Sequence, residues 1–326
     1  LTAQVDQRIG TFLRQRRDAI PEASTLIDEI ERVVGAGGKR LRPAFCYWGY
    51  RATGGTQEEE ILRLTTAFEL LHTFAIVHDD IMDRSFERRG QPTTFATMGT
   101  DRALLVGDLA LVLADAAFWA SGFTPDQLCS AFAEFTTMRE QVIAGQHMDL
   151  EAHGRPIAES EARAIAIMKS GSYSIEHPLL IGARLAEADD SVIEGLRAFG
   201  RPLGEAFQLV DDVLGVFGDP AVTGKPSDSD IREGKHNVLF AKTVEALTGA
   251  ERDYFVTNWG LGDALDERDV DRLRELVGSS GARKATEELI DSLAEDASNA
   301  LDRLAVNDDG RLALGLLMDA AIRRSR

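Results

Sequence analysis

Apolar residues recur at spacings of three and four along almost the whole of this 326-residue chain, and no convincing stretch alternates with a period of two. That pattern predicts an all-α fold. Helices are expected near 3–17, 21–35, 43–53, 57–83, 101–121, 124–152, 157–170, 172–187, 189–217, 236–248, 250–258, 265–278, 280–303 and 310–324. Pro21, Pro43 and Pro125 stand where a helix can begin, because the first turn leaves its N–H groups unpaired in any case. Pro202 instead falls inside a run and predicts a kink. No repeat, low-complexity tract or linker marks a boundary, so one domain over 1–326 is expected. A chain of this length exceeds most single cores, and helices around one large central cavity would absorb it.

Two of the apolar runs end in acid. Leu70 to His78 leads into Asp79-Asp80-Ile81-Met82-Asp83, and Ala206 to Val210 leads into Asp211-Asp212, with Asp219 beyond. Asp79 and Asp83 are four apart, so on a helix they share a face and their carboxylates reach a common ion. Oxygen donors without His or Cys suit Mg²⁺, which keeps several waters and takes one or two carboxylates plus a substrate phosphate. An Asp at a helix end is ordinarily a cap or a solvated charge. Two acid patches that each close an apolar segment weigh against that explanation, and two such clusters facing one another would clamp a diphosphate.

The net charge of −18 argues against nucleic acid and against an anionic membrane as partners. An acidic protein that takes an anionic substrate needs cations, which again favours a metal. The most apolar stretch, Leu104 to Phe118, is interrupted by Asp108 and Asp115 and falls short of a membrane span. Leu1 to Arg17 lacks the hydrophobic core of a signal peptide, and because the chain opens on Leu a few native residues are expected to be missing. Cys46 and Cys129 have no metal-ligand spacing, and a reducing, cytoplasmic compartment is expected.

Several cations stand out from the acidic background. Gly37-Gly38-Lys39-Arg40-Leu41-Arg42-Pro43 could surround phosphate oxygens, although glycines and basic residues also close helix C-termini. Arg88 and Arg89 follow the first acid cluster and point apart, so each could take a separate anion; a solvated loop pair is the plain alternative. Lys169-Ser170-Gly171 interrupts an apolar segment, and Lys225 and Lys235 follow the second cluster. Each lysine alone reads as a surface residue. His72 lies seven residues before Asp79 on nearly the same face, where a core histidine is the commoner case. Periodicity breaks over Arg84 to Thr100 and Gly218 to Lys235, each just after an acid cluster, where a lid or phosphate clamp would sit.

Taken in order, GGKRLRP at Gly37, DDIMD at Asp79, RRGQPT at Arg88, GDLAL at Gly107, GQHMDL at Gly145, KS at Lys169, FQLVDDVLGVFGD at Phe207 and GKPSDSDIREGK at Gly224 resemble the trans-isoprenyl diphosphate synthases, the polyprenyl synthetase family. The resemblance implies an all-α bundle of the isoprenoid synthase type around a central apolar cavity, working as a homodimer. It implies an enzyme that condenses isopentenyl diphosphate with an allylic diphosphate, using three Mg²⁺ ions. Asp79, Asp83 and Asp211 would bind metal directly, supported by Asp80, Asp212 and Asp219. Arg88, Lys169, Lys225 and Lys235 would hold the allylic diphosphate, and Gly38, Lys39, Arg42, His72 and Arg89 isopentenyl diphosphate. Gln208 and the Lys169/Ser170 pair would face the allylic cation.

This chain departs from the family pattern at Asp228, usually Gly, at Asn237, commonly Thr, and at Ser170, more usually Thr. The positions five and four before Asp79 are Phe74 and Ala75, which resembles geranylgeranyl diphosphate synthases with one aromatic plug and ranks a C20 product ahead of C15. On an ideal helix Ala75 lies nearer the face of Asp79 than Phe74 does, so the plug role comes from the resemblance alone. A class I terpene cyclase would need no isopentenyl site, and a noncatalytic regulatory subunit would be expected to lose aspartates. The cations and the intact acid clusters disfavour both.

Overall fold

The protein is described here by a computed structural model covering residues 1–218 and 228–322. Helices follow one another along it: α1 (Thr2–Ala19), α2 (Ser24–Gly35), α3 (Leu41–Ala52), α4 (Glu58–Leu64), α5 (Thr66–Met82), α6 (Thr94–Met98), α7 (Thr100–Trp119), α8 (Pro125–Ala152), α9 (Glu159–Ile165), a π-helical stretch (Ala166–Glu176), α10 (His177–Leu185) and α11 (Asp190–Phe217). Then come α12 (Ser229–Glu233), α13 (Val238–Ala246), α14 (Gly249–Asn258), α15 (Glu267–Ser279), α16 (Ala282–Arg303) and α17 (Asp308–Ile322). The all-α expectation holds: the only strands among the described residues are β1 (Glu87–Arg88) and β2 (Gln91–Pro92).

The chain groups into two compact units. The first comprises residues 1–134, 178–193 and 305–313. Its spine is α5 laid along α7, and Phe45, Ile61, Phe68, Leu70, Val106, Ala110 and Phe118 are buried there. Helices α3 and α10 approach as closely as backbones can: a Cβ on Gly182 would lie 2.1 Å from the Cys46 carbonyl oxygen, and one on Gly49 would lie 2.2 Å from that of Leu179. The second unit comprises 135–177, 194–304 and the chain from Leu314. Phe199, Leu203, Leu209 and Val216 of α11 are buried there, as is the aromatic group Phe240, Phe255 and Trp259.

Several boundaries differ from the sequence reading. The expected helix 57–83 is two helices, because Thr65 turns its hydroxyl onto the Leu62 carbonyl at 2.7 Å and Thr66 opens a new helix. Lys169-Ser170-Gly171 does not break the helix; the turns widen into π geometry, and α9 to α10 form one helical run. Helix α11 continues through Pro202, which lies inside it as expected. The irregular stretch 84–100 contains the β1–β2 hairpin, with Glu87 opposite Pro92 and Arg88 opposite Gln91, and also α6. Arg89 and Gly90 at its turn both have positive φ, 55° and 71°, which a tight two-residue hairpin requires.

Because Gly182 has no room for a side chain, Gly182→Ala is expected to cost about 1–3 kcal/mol by forcing α3 from α10. Urea denaturation measures it, and a wild-type midpoint would contradict the close crossing.

Candidate active site

In the first unit the acid cluster closes α5. Asp83 is the residue that caps this helix; its N–H donates to the Asp79 carbonyl at 2.8 Å and its φ and ψ are −82° and −7°. The helical register therefore reaches Asp83, and the two carboxylates share a face as the spacing predicts. Asp80 is buried on another face. Arg88, carried back by the hairpin, bridges the two neighbours: Nη2 donates to Asp79 Oδ2 at 2.9 Å and Nε to Asp80 Oδ1 at 2.8 Å. Burial alone would lower the Arg88 pKa, but Asp80 and Asp79 outweigh it and raise it.

Beside them lies a region of positive field. The His72 imidazole is held well below its ordinary pKa, first by burial and then by Arg42, Arg89, Arg88 and Arg40, so it is neutral. Lost hydration, followed by repulsion from Arg88, lowers Arg89 too, with Arg42 and Arg40 adding to it and Glu69 opposing. Four guanidiniums around one neutral imidazole form an anion-binding environment. Arg89 Nη1 also donates to the Gly37 carbonyl at 2.5 Å, which ties the hairpin to the glycine loop. Gly38 has φ +154° and its missing Cβ would point toward Arg89 and Arg40; Lys39 is exposed beside it.

Arg40 has another task, which the sequence did not disclose. It is buried with φ 50° and donates to Asp6 Oδ1 at 2.8 Å, Glu69 Oε2 at 2.5 Å and the Val34 carbonyl at 2.8 Å. These contacts tie α1, α2 and α5 at the root of the glycine loop, so Arg40 fixes the loop that carries Lys39 and the start of α3, whose first turn carries Arg42. Phe74 and Ala75 on α5 are half-buried, with Phe74 in ring contact with His78 at 4.8 Å.

In the second unit Lys169 and Ser170 sit in the π-helical stretch. A Cβ on Gly145 of α8 would lie 2.3 Å from the Lys169 nitrogen, and Gly171 and Gly204 meet backbone to backbone, so two glycine contacts hold the widened turn. Lys169 Nζ donates to Asp149 Oδ2 at 2.6 Å. Asp149 is buried, and its sequence signal is its place in the GQHMDL motif, one turn after Gly145.

On α11, Gln208 Nε2 donates to Asp212 Oδ1 at 2.8 Å, and Asp211 is half-buried next to it. Asp230 of α12 fills the gap left by Gly215, where a Cβ would lie 2.3 Å from its carboxyl carbon. Burial, with Asp230 second and Asp211 after the opposing Gln208 bond, pushes Asp212 up to about 8. Lys235 Nζ lies 3.5 Å from Asp230 Oδ1 and 3.0 Å from Glu233 Oε2. Asp149 and Asp230 received no role in the sequence reading. Asp219 and Lys225 lie outside the described residues.

The two departing positions of the following loop are ordinary. Asp228 has φ −121° and ψ 6° and accepts from Arg232 Nε at 2.5 Å. Asn237 caps α13 by accepting from the Phe240 N–H at 3.0 Å.

The all-α frame is shared with known proteins. A family model described as polyprenyl synthetase matches residues 24–277. A geranylfarnesyl diphosphate synthase of Aeropyrum pernix is 33% identical over 98% of this chain and 99% of its own length. A geranylgeranyl diphosphate synthase of Saccharolobus solfataricus is 34% identical over 84% of this chain and 80% of its own. The crystal structure of geranylgeranyl pyrophosphate synthase from Corynebacterium glutamicum, complexed with isoprenyl diphosphate and magnesium, superposes with a TM-score of 0.92 at 31% identity, covering 98% of this chain and 97% of that one. The chain belongs to the polyprenyl synthetase family and is a trans-prenyl diphosphate synthase.

A pH prediction follows from Asp212. Its folded pKa lies above the unfolded value, so the native protein binds the extra proton between about pH 4 and pH 8 and loses stability as pH rises through that window. In chelator, Asp212→Asn is expected to flatten this decline and to melt above wild type near pH 8. Parallel melting curves for the two proteins across that window would refute the assignment.

Proposed function

We propose that this enzyme joins isopentenyl diphosphate head to tail to dimethylallyl, geranyl or farnesyl diphosphate with Mg²⁺, and that its main product is the all-trans C20 geranylgeranyl diphosphate. The observation that carries the reading is the field of Arg40, Arg42, Arg88 and Arg89 around a neutral His72, beside Asp79 and Asp80. A cyclase, which takes one diphosphate, has no use for the further cation set of Lys39, Arg42 and Arg89 at Gly38. The product length is supported by relatives named for geranylgeranyl diphosphate and by Phe74 and Ala75. The reading takes 1–326 as one functional domain.

The residues present fit magnesium. Their donors are carboxylate oxygens, and water and substrate phosphate would complete the coordination, as is usual for this ion. Asp79, Asp83 and Asp211 would hold it, with Asp80, Asp212 and Asp219 in support; three ions per site is the number proposed. When bound, Mg²⁺ neutralises charge on the leaving diphosphate.

Arg88 already contacts Asp79 and Asp80, and it would trade part of that pairing for the allylic diphosphate, with Lys169, Lys225 and Lys235. Gly38, Lys39, Arg42, His72 and Arg89 would fix isopentenyl diphosphate. Asp149 sets the direction of Lys169, so that Lys169, Ser170 and Gln208 border the allylic cation. The isopentenyl double bond attacks this cation, and the proton then released would pass to the departing diphosphate. Orientation and preorganised charge supply the acceleration.

We also assign a second copy of the chain as partner. Leu105, Val112 and Trp119 are exposed at seven-residue spacing on α7, a stripe suited to self-association. No described helix is long and apolar enough to cross a membrane, and a cytoplasmic location without nucleic-acid partners is part of the proposal.

The purified chain is expected to make prenyl diphosphate with Mg²⁺ and to stop in EDTA. Asp79→Ala or Asp211→Ala should lower the rate by about a hundredfold or more with unchanged helical circular dichroism. Turnover in excess EDTA would sink the metal role, and a near wild-type rate in either variant would remove that ligand.

The two substrate sets should separate in kinetics. Arg42→Ala is expected to raise KM for isopentenyl diphosphate more than for the allylic partner, whereas Lys169→Ala should mainly lower kcat. Equal effects of both changes on both substrates would show that the cations are wrongly assigned.

A further inference from the structure

His78 stands between Phe74 and Asp79 on α5, yet its side chain has no part in the reaction above. Helical side chains lean toward the N-terminus, which brings the imidazole over Phe74, one turn back. The rings meet edge to face, with centroids 4.8 Å apart and planes at 64°. Toward α7, His78 Nε2 lies 3.2 Å from the Leu104 carbonyl oxygen, and Asp108 Oδ1 is 3.7 Å from the same nitrogen. A carbonyl can only accept, so Nε2 is the donor in this contact, which sets the tilt of the ring.

Gly107 makes this seat possible. A Cβ there would stand 2.3 Å from both Cδ2 and Nε2 of His78, closer than atoms approach, so any larger residue would drive the imidazole out. The ring is thus held by α7 on one side and braces Phe74 on the other. While His78 stays, Phe74 cannot swing into the space His78 occupies.

We propose that His78, seated in the notch left by Gly107, is a positioning residue for product length: it holds the Phe74 ring in the one orientation that stops elongation. This rests on the reading of Phe74 as the chain-length plug. It goes beyond that reading by naming what makes a single phenylalanine, with Ala75 beside it, a definite stop.

The test uses His78→Ala, Gly107→Ala, Phe74→Ala and the double variant Phe74→Ala/His78→Ala. Each is run to completion with excess isopentenyl diphosphate on a farnesyl diphosphate primer, and the dephosphorylated alcohols are sized by mass spectrometry. End-point sizing makes product length independent of any loss of rate near Asp79. His78→Ala is expected to lengthen the main product by at least one five-carbon unit or to spread it over several lengths. Gly107→Ala should do the same by displacing His78 from α7 without removing any side chain of α5, so whichever of the two retains helical circular dichroism decides.

The double variant should match Phe74→Ala, because His78 acts through Phe74. Wild-type lengths from His78→Ala or Gly107→Ala, alongside longer products from Phe74→Ala, would overturn the role of His78 and leave the plug reading intact. So would additive lengthening in the double variant. Unchanged lengths from Phe74→Ala would overturn both.

Discussion

Clustered charge of one sign is the constraint on which the candidate residues of each unit depend. Four arginines around His72 in the first unit and three aspartates, Asp211, Asp212 and Asp230, in the second each raise the energy of their own neighbours. A fold meant only to be stable would pair such groups with opposite charge, since a buried unpaired ion is costly. Here the pairing is partial. Arg88 bridges Asp79 and Asp80, Lys169 meets Asp149, and Lys235 lies near Asp230, while His72 and Asp212 stay strongly shifted. Residual positive potential favours a bound anion and residual negative potential a bound cation, which is the demand of a metal-assisted diphosphate reaction.

Such charges are useful only if they are held in place, and the chain does this largely with glycines under the functional residues. Gly107 seats His78, Gly145 admits the backbone of Lys169, Gly204 meets Gly171, and Gly215 makes room for Asp230. At Gly145 and Gly204 backbone meets backbone and fixes the turn that carries Lys169, whereas at Gly107 and Gly215 the missing Cβ leaves a notch that the His78 and Asp230 side chains fill. Arg40 does comparable work at the glycine loop through three charged or carbonyl partners.

Much of this was legible in the residues. Periodicity of three and four gave the helices because a buried stripe is their main source of stability, and the spacing of Asp79 and Asp83 gave a shared face that the structure retains. Asp149 and Asp230 lie within the GQHMDL and GKPSDSDIREGK motifs, but their roles were not legible, since each acts through a residue distant in sequence. The hairpin of β1 and β2 is too short to show a period of two. The π-helical stretch escaped for a different reason: Lys169-Ser170-Gly171 looks like a breaker, but tertiary contact with Gly145 and Gly204 holds the helix through it.

The departures from the family pattern are accommodated locally. A glycine is demanded by a positive φ or a close approach, and Asp228 faces neither demand: its φ is −121° and its carboxylate pairs with Arg232. Asn237 takes up the capping task that a threonine performs, because its side-chain oxygen reaches the Phe240 N–H in the same N-cap role. Its amide adds what a hydroxyl of that length could not, an Nδ2 group 3.5 Å from Asp230 Oδ2. The substitution therefore keeps the start of α13 and places one more donor beside the carboxylate that raises Asp212, so a change that reads as a loss in sequence adds a contact to the acidic group in the fold.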